Sequence, residues 1–452
     1  MFGNAADVEK PTRVRYLMLL MIFSATAISY GDRATLSITG TPMSKDLGMS
    51  AITLGYVFST FPVFYLLFSL PGGYLLDKFG SIRVYFWAIL LWSVFTTLQC
   101  TVSFFSGVWA IVALFVFRAL MSAAEAPVFP GNTRITACWF PTNERNTASS
   151  IYNASQYFAV VAFTPLMAWL THTFGWHYVF VIMGGLGFIF AYLWNKVCHS
   201  PRTHPLANKA EIDLIQAGGG LVDVDDKAFS GKTNHSQFDN IKQLLSSRSL
   251  VGVYLGQYCV YALTYFFISW FPIYLVKAKG LSLLSAGILA SIPAISGFVG
   301  GILGGIWGDY LIRRNKTIGT ARRVPVVVGM SLATTIVLCN YYNSITIVIF
   351  IMSLAFFGKG MGAQAWALLS DLAPKEVVGL SAALNSVIGN ISAVIIPIVI
   401  GYIVAITGKF DLALVILSLH PLLAIFFFVV VGGKMDKRVV LKKECEPAAS
   451  LA

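Results

Sequence analysis

The sequence predicts an all-α integral membrane protein in which twelve transmembrane helices form two pseudo-symmetric six-helix halves. Composition is the first reason: 57% of the 452 residues are hydrophobic and 12% are charged, with 39 Gly and 34 Phe, far too apolar for soluble domains of this length. Spacing is the second. Apolar stretches long enough to cross a bilayer have their cores near residues 16–37, 52–76, 84–104, 107–130, 147–171, 176–198, 250–276, 283–308, 324–342, 345–370, 378–406 and 412–433. The third is an internal offset of 232 residues, at which Gly55, Ser59, Gly73, Asp77, Glu144 and Asn153 recur as Gly287, Ser291, Gly305, Asp309, Glu376 and Asn385. The expected halves are 1–198 and 249–452, joined by a polar connector over 199–248 that contains "AGGGLVDVDD". Two parallel repeats with an internal connector are the plan of a rocking transporter, with its substrate site expected near the bilayer midplane.

Charge placement orients the chain. Of the 32 Lys and Arg, 25 fall in the termini and alternate loops, among them Lys10, Arg13, Arg15, Lys78, Arg83, Arg313, Arg314, Arg322, Arg323, Lys437 and Arg438. Those segments and both termini are therefore expected on the cytoplasmic side. The opposite loops hold only Lys45, Lys277, Lys279 and Lys409, which leaves Arg33, Arg118 and Lys359 within the membrane. The net charge of +12 is thus a matter of topology, and no nucleic-acid partner is expected. No small-residue cleavage site follows the first apolar stretch, so it reads as an uncleaved span. Cys100, Cys138, Cys198, Cys259, Cys339 and Cys445 show neither pairing nor metal-ligand spacing, and no metal or cofactor is expected. The sequon-like Asn234-His235-Ser236 falls in the cytoplasmic connector, where no glycosylation is expected.

Taken in order, the spans carry polar groups that packing does not require. The first holds Asp32-Arg33 within "ATAISYGDRATLSI", although a charge in hydrocarbon costs from about 3 to over 10 kcal/mol. These neighbours point about 100° apart around the helix, so each is expected to find its partner on another helix. Asp32 lies roughly 24 Å from the cytoplasmic start of that helix. The second span runs into "GGYLLDKFGSIRV", with Gly73, Asp77, Lys78, Gly80 and Arg83, and the eighth into "GGIWGDYLIRR", with Gly305, Asp309, Arg313 and Arg314. An acid and bases at a helix end can form a charge cluster that opens when the halves move, and glycines let helix ends approach. On the fourth span Arg118, Ser122 and Glu125 share a face. Arg118 and Glu125 are roughly 10 Å apart along the axis, too far for a closed ion pair, and Glu125 is expected near the cytoplasmic end. The fifth span offers Asn153 and Gln156; the seventh, Gln257, Tyr261, Thr264 and Tyr265 along one face; the tenth, Lys359, Ala363, Trp366 and Ser370 along another; and the eleventh, Asn385. Tyr30 and Tyr65 add further donors, while Asn153 and Asn385 alternatively serve helix packing by hydrogen bonds across helices.

A buried carboxylate beside an arginine is poised to change protonation when an anion takes or leaves that arginine. Asp32 and Glu125 are accordingly expected to couple protons to an anion held by Arg33 and Arg118. The hydroxyl, amide and aromatic inventory suits a polyhydroxylated acid. Lys359 is the membrane-embedded base of the second half. An acid with a carboxylate at each end needs positive charge from both halves, and Lys359, read as lying near mid-helix, is expected to meet the distal one.

The loop after the second span resembles the signature loop of the major facilitator superfamily, the second copy being degraded, with Tyr310 and Ile312 in place of Lys78 and Gly80. "SYGDRATLSI" (29–38), "EAPVFPGN" (125–132), "WFPTNER" (139–145), "GVYLGQY" (252–258), "FFGKGMGA" (356–363) and "DLAPKE" (371–376) together resemble the anion:cation symporter family, and within it the bacterial hexarate permeases. The likeness covers nearly the whole chain. It implies proton-driven uptake of a sugar acid, glucarate or galactarate, across the bacterial inner membrane. It also implies that Asp32 and Glu125 are the proton-titrating groups, that Arg33 and Arg118 sit at the site, and that Tyr30, Tyr65, Gln156, Trp366 and Asn385, with Gln257 more loosely, occupy substrate positions. The expected partners are a sugar-acid anion, protons and membrane lipids, with a monomer as the working unit. A hexonate or hexuronate is the nearest rival substrate. An enzyme is disfavoured by the lack of a metal-ligand or nucleophile–base motif, and a primary pump by the lack of a GxxxxGK[ST] loop. A channel would move solute indifferently to a proton gradient.

Overall fold

The computed structural model describes residues 10–141, 144–223, 237–374, 377–435 and 439–440. Glu376, Lys437, Arg438, Cys445, Asn234-His235-Ser236 and the side chains of Asp77 and Ser370 lie outside the described residues. Hydrocarbon offers the backbone no hydrogen-bond partners, so a chain this apolar must satisfy its own amides within helices. Twelve segments are long and apolar enough to cross a membrane, and no strand occurs among the described residues. The protein is a multi-pass membrane protein.

The first set of spans comprises α1 (Val14–Asp46), α2 (Ala51–Phe79), α3 (Ser81–Leu98, prolonged by a 3-10 stretch over Gln99–Phe104), α4 (Val108–Glu125) with α5 (Val128–Trp139), α6 (Arg145–Phe174) and α7 (Trp176–Val197). Two short helices of the connector follow, α8 (Lys209–Ala217) and α9 (Gln237–Ser246). The second set is α10 (Arg248–Ser269) with α11 (Phe271–Lys277), α12 (Leu283–Arg313), α13 (Ile318–Ala333, prolonged by a 3-10 stretch over Thr334–Asn340), α14 (Ile345–Met361) with α15 (Gln364–Leu372), α16 (Val378–Thr407) and α17 (Asp411–Phe426).

The sequence repeat reappears in these elements. α2 and α12 begin 232 residues apart, at Ala51 and Leu283. α3 and α13 both tighten into 3-10 turns, the fourth and tenth spans both break partway, and α6 and α16 are each 30 residues long. The breaks are packed alike. A Cβ on Gly72 of α2 would lie 3.0 Å from Pro127 at the α4–α5 break, and one on Gly304 of α12 would lie 3.0 Å from Met361 at the α14–α15 break. Helix and break could not approach so closely with a larger residue at either place. The glycines that the loop motif singles out, Gly73 and Gly305, stand one residue further on.

Contacts divide the chain into one unit of residues 1–231 with 271–291 and a second of 232–270 with 292–452. In the first unit, α11 packs on α1. Its core centres on Trp92, Trp139, Trp194 and Tyr85, the last two stacked 4.2 Å apart. The polar tips of the stacked pair are satisfied: Trp194 Nε1 donates to Ile82 O (3.1 Å), and Tyr85 OH donates to Asn132 Oδ1 (2.8 Å). The connector up to Asp223 is folded against this unit and is not a bare linker. Ile215 and Val222 are buried in the core, and Glu211 of α8 is fully buried. Glu211 accepts from Val14 N, Arg15 N and Thr12 Oγ1, closing the N-terminus of α1, and pairs with Arg15 Nη1 (3.3 Å). In the second unit α10 and α16 lie side by side, joined by Tyr254–Ser381 (2.7 Å) and Tyr265–Asn390 (2.8 Å) hydrogen bonds, and α9 packs against both.

Candidate functional site

In the first unit α1 and α4 carry four charged side chains that are buried near one another. Glu125 is the last residue of α4, yet the span continues through α5 to Trp139. The carboxylate is therefore mid-span and not near the cytoplasmic end: Asn132, Thr133 and Arg134 make α5 look like a loop by hydropathy alone. Arg33 meets it, with Nη2 2.6 Å and Nε 2.7 Å from Glu125 Oε1, and Ser29 Oγ donates to the same oxygen. The Arg33 guanidinium also lies over the rings of Phe61 (4.6 Å), Tyr30 (4.7 Å), Tyr65 (5.1 Å) and Phe129 (6.0 Å). Away from water such cation–π contacts are worth about 2 kcal/mol. Tyr30 and Tyr65 thus hold the arginine, whatever else they contact.

Asp32 and Arg118 differ from that pair. Asp32 is 1% exposed and neither carboxylate oxygen has a hydrogen-bond partner, which corrects the expectation that each member of the Asp32-Arg33 pair finds a partner on another helix. The reason is geometric: one turn of α1 presents Ser29 and Arg33 to Glu125, and Asp32 points off that face. The charged groups that act on it are Glu125 and Arg118. Arg118 is 2% exposed, gives Nη2 to Arg33 O at 3.5 Å, and keeps Nε and Nη1 without a partner. A buried carboxylate without donors and a buried guanidinium with two unused donors are both costly. They form a site that an anion and a proton would complete.

In the second unit Lys359 is buried, 7% exposed, with Nζ 5.0 Å from the Phe356 ring centroid. It sits mid-span but in the last turn of α14, because the chain breaks at Gly362 and Ala363. Lys359 and Trp366 consequently stand on different helices, not on one continuous face. Trp366 is half-buried. Gln257 and Asn385 are buried, with Gln257 Oε1 and both Asn385 amide atoms unpartnered. Asn153 is exposed and donates to Ser149 O on its own helix, so the hydrogen bond between helices alternatively assigned to Asn153 and Asn385 is not formed. Gln156 likewise turns back to Asn153 O (3.1 Å).

The loop motif has its sharpest physical cause at Gly80, whose φ of +83° lets it end α2 and open α3 at once. Lys78 and Arg83 are exposed, and a Cβ on Gly73 would meet nothing within 4 Å. In the second copy Asp309 pairs with Arg322 (3.1 Å), which also reaches Asp371 (3.4 Å), while Arg314 lies over the Tyr310 ring. The bases expected to serve Asp309 were Arg313 and Arg314. Arg322, four residues into α13, is the one in place.

A family model for the Major Facilitator Superfamily matches residues 22–397. A probable galactarate/D-glucarate transporter of Escherichia coli (strain K12) is 53% identical over 439 residues, 97% of this chain and 97% of the relative. A D-galactonate transporter of Escherichia coli O6:H1 is 38% identical over 431 residues, 95% of this chain and 98% of the relative. Among solved structures, a D-xylose–proton symporter shares the fold with a TM-score of 0.68 at 14% identity, covering 94% of this chain and 100% of that one. With its twelve spans and repeated helix pattern, the chain is a membrane transporter and not an enzyme, and it belongs to the Major Facilitator Superfamily.

Proposed function

We propose that the protein is a proton-coupled symporter that imports a hexarate sugar acid, D-glucarate or galactarate, across the bacterial inner membrane by alternating access, with both termini in the cytoplasm. The observation that carries this reading is the pairing in one unit of an unpartnered buried carboxylate, Asp32, with a buried guanidinium that keeps two donors open, Arg118. An organic anion docks on Arg118 Nε and Nη1. Its negative charge competes with Glu125 for Arg33, so Glu125 takes or releases a proton as the anion arrives or leaves, and Asp32 exchanges its proton in the same cycle. Tyr30, Tyr65, Gln156, Trp366 and Asn385 contribute hydrogen bonds and an apolar face to the polyol chain, and Gly73, Asp77, Lys78, Gly80 and Arg83 form the gating loop. The substrate class is supported by the relative at 53% identity, whose name is that of a probable galactarate/D-glucarate transporter. The relative at 38%, a D-galactonate transporter, favours a second reading, in which the substrate is a hexonate.

Uptake of labelled glucarate, galactarate and galactonate into proteoliposomes tests this, with and without an inward proton gradient. The two hexarates should accumulate above the external concentration only with the gradient. Accumulation of galactonate alone would establish the second reading, and uptake indifferent to the gradient would overturn both.

A further inference from the structure

We propose that the second unit carries a carboxylate subsite of its own, in which Lys359 takes the second carboxylate of a dianionic substrate and so selects hexarates over hexonates; this rests on the functional reading above. The direction of the lysine follows from its neighbours on α14. A Cβ on Gly358 would lie 2.0 Å from Gly329 O of α13, and one on Gly360 would lie 2.0 Å from Gly297 O of α12, so both flanks of the helix are closed. Lys359 stands between Phe356, whose ring is 4.2 Å from that of Phe267 on α10, and Gly362, whose Cβ position is 3.4 Å from Val260 of α10. Its stem therefore faces α10 between Val260 and Phe267. At 7% exposure the ammonium is not snorkelling to a membrane surface.

About two turns nearer the start of α10 the unit holds unsatisfied amides. α10 and α16 are in register through Tyr254 with Ser381 and Tyr261 with Gly389. Asn385 falls midway between Ser381 and Gly389 and is thus level with Gln257, one turn before Val260. Buried polar atoms are nearly always satisfied, yet Gln257 Oε1, Asn385 Oδ1 and Asn385 Nδ2 are not. Asp and Glu are also absent from 249–308, 318–369 and 378–407, so Lys359 gives the membrane interior of this unit a net positive charge. A carboxylate carried on a polyhydroxylated chain matches this set, since the ammonium donates to the carboxylate while the amides, further along, both donate to and accept from hydroxyls. A hexonate has a CH2OH in place of that carboxylate and offers the ammonium no opposite charge.

The test is binding of glucarate and of its mono-amide, which keeps every hydroxyl but has one carboxylate, to purified wild type, Lys359→Gln and Lys359→Arg. Wild type should bind the dianion at least about tenfold more tightly than the mono-amide, Lys359→Arg should keep that preference, and in Lys359→Gln it should shrink below about threefold. A preference that survives in Lys359→Gln, or a wild-type ratio near one, overturns the proposal. The wild-type ratio decides by itself if Lys359→Gln does not fold. Failure of the broader functional reading would look different, as binding of neither ligand to wild type.

Discussion

At the scale of single residues, the two arginines divide the work. Arg33 is committed: its fork closes on Glu125 and its plane is stacked among Tyr30, Phe61, Tyr65 and Phe129. Arg118 keeps its donors for something else. Lysine would preserve the charge at 33 but lose both the fork and the stacking. We expect Arg33→Lys to weaken substrate affinity by about tenfold or more, because Glu125 would no longer be held where the anion can displace it. Equilibrium binding at fixed pH checks this, and wild-type affinity in the variant would show the stacked geometry to be unimportant. The residues that stood out in the sequence did so by contrast. Asp32, Arg33, Arg118 and Lys359 are charges within apolar runs, where any charge is conspicuous. Glu211 had no such contrast, since one acid among many in a polar connector gives no hint that it is buried beneath the start of α1.

At the scale of elements, the twelve spans were legible, because each long apolar run can only be a helix in lipid. Their interruptions were not. Breaks at Ala126–Pro127 and at Gly362–Ala363 depend on what packs beside them, Gly72 in one unit and Gly304 in the other, and a linear pattern does not contain that. The docked connector was hidden for a related reason: α8 is only nine residues long, too short for a helical period to emerge. Its docking also carries a titratable contact. His204 is 5% exposed, with Nε2 3.0 Å from Val197 O and Nδ1 accepting from Leu206 N (3.1 Å), a pattern that fits only the neutral ring. Burial, with His199 nearby, pushes His204 below the ordinary imidazole value, while the Val197 carbonyl and Glu211 oppose the shift. The folded value is the lower one, so this contact contributes fully above the unfolded pKa of about 6.5 and is lost as pH falls through the folded value. Hydrogen exchange over 199–223, corrected for the intrinsic pH dependence of amide exchange, should lose protection relative to the core of α3 as pH falls below the ordinary imidazole value. Uniform loss of protection across the unit would remove His204 from the explanation.

At the scale of the whole molecule, the proposed coupling would depend on charges that no single helix could hold. Asp32, Arg33, Arg118 and Glu125 sum to zero when both acids are ionised. An anion entering that cluster therefore makes it net negative unless a proton comes with it. In a medium where an uncompensated charge costs several kcal/mol, that requirement would link solute to proton, as proposed, without any direct contact between the two. It also predicts how the linkage fails. In Asp32→Asn with Glu125→Gln the cluster keeps a fixed positive charge, so the anion binds without a proton and has no means of being driven by one. The double variant should still exchange labelled for unlabelled hexarate across proteoliposome membranes, while accumulation under an inward proton gradient falls to the external concentration. The single variants separate the two acids: exchange preserved with accumulation lost in either one assigns that carboxylate to the proton path, and accumulation preserved in one leaves the path to the other. Concentrative, gradient-driven uptake by the double variant would mean that protons travel elsewhere and that these four residues serve only to bind the anion.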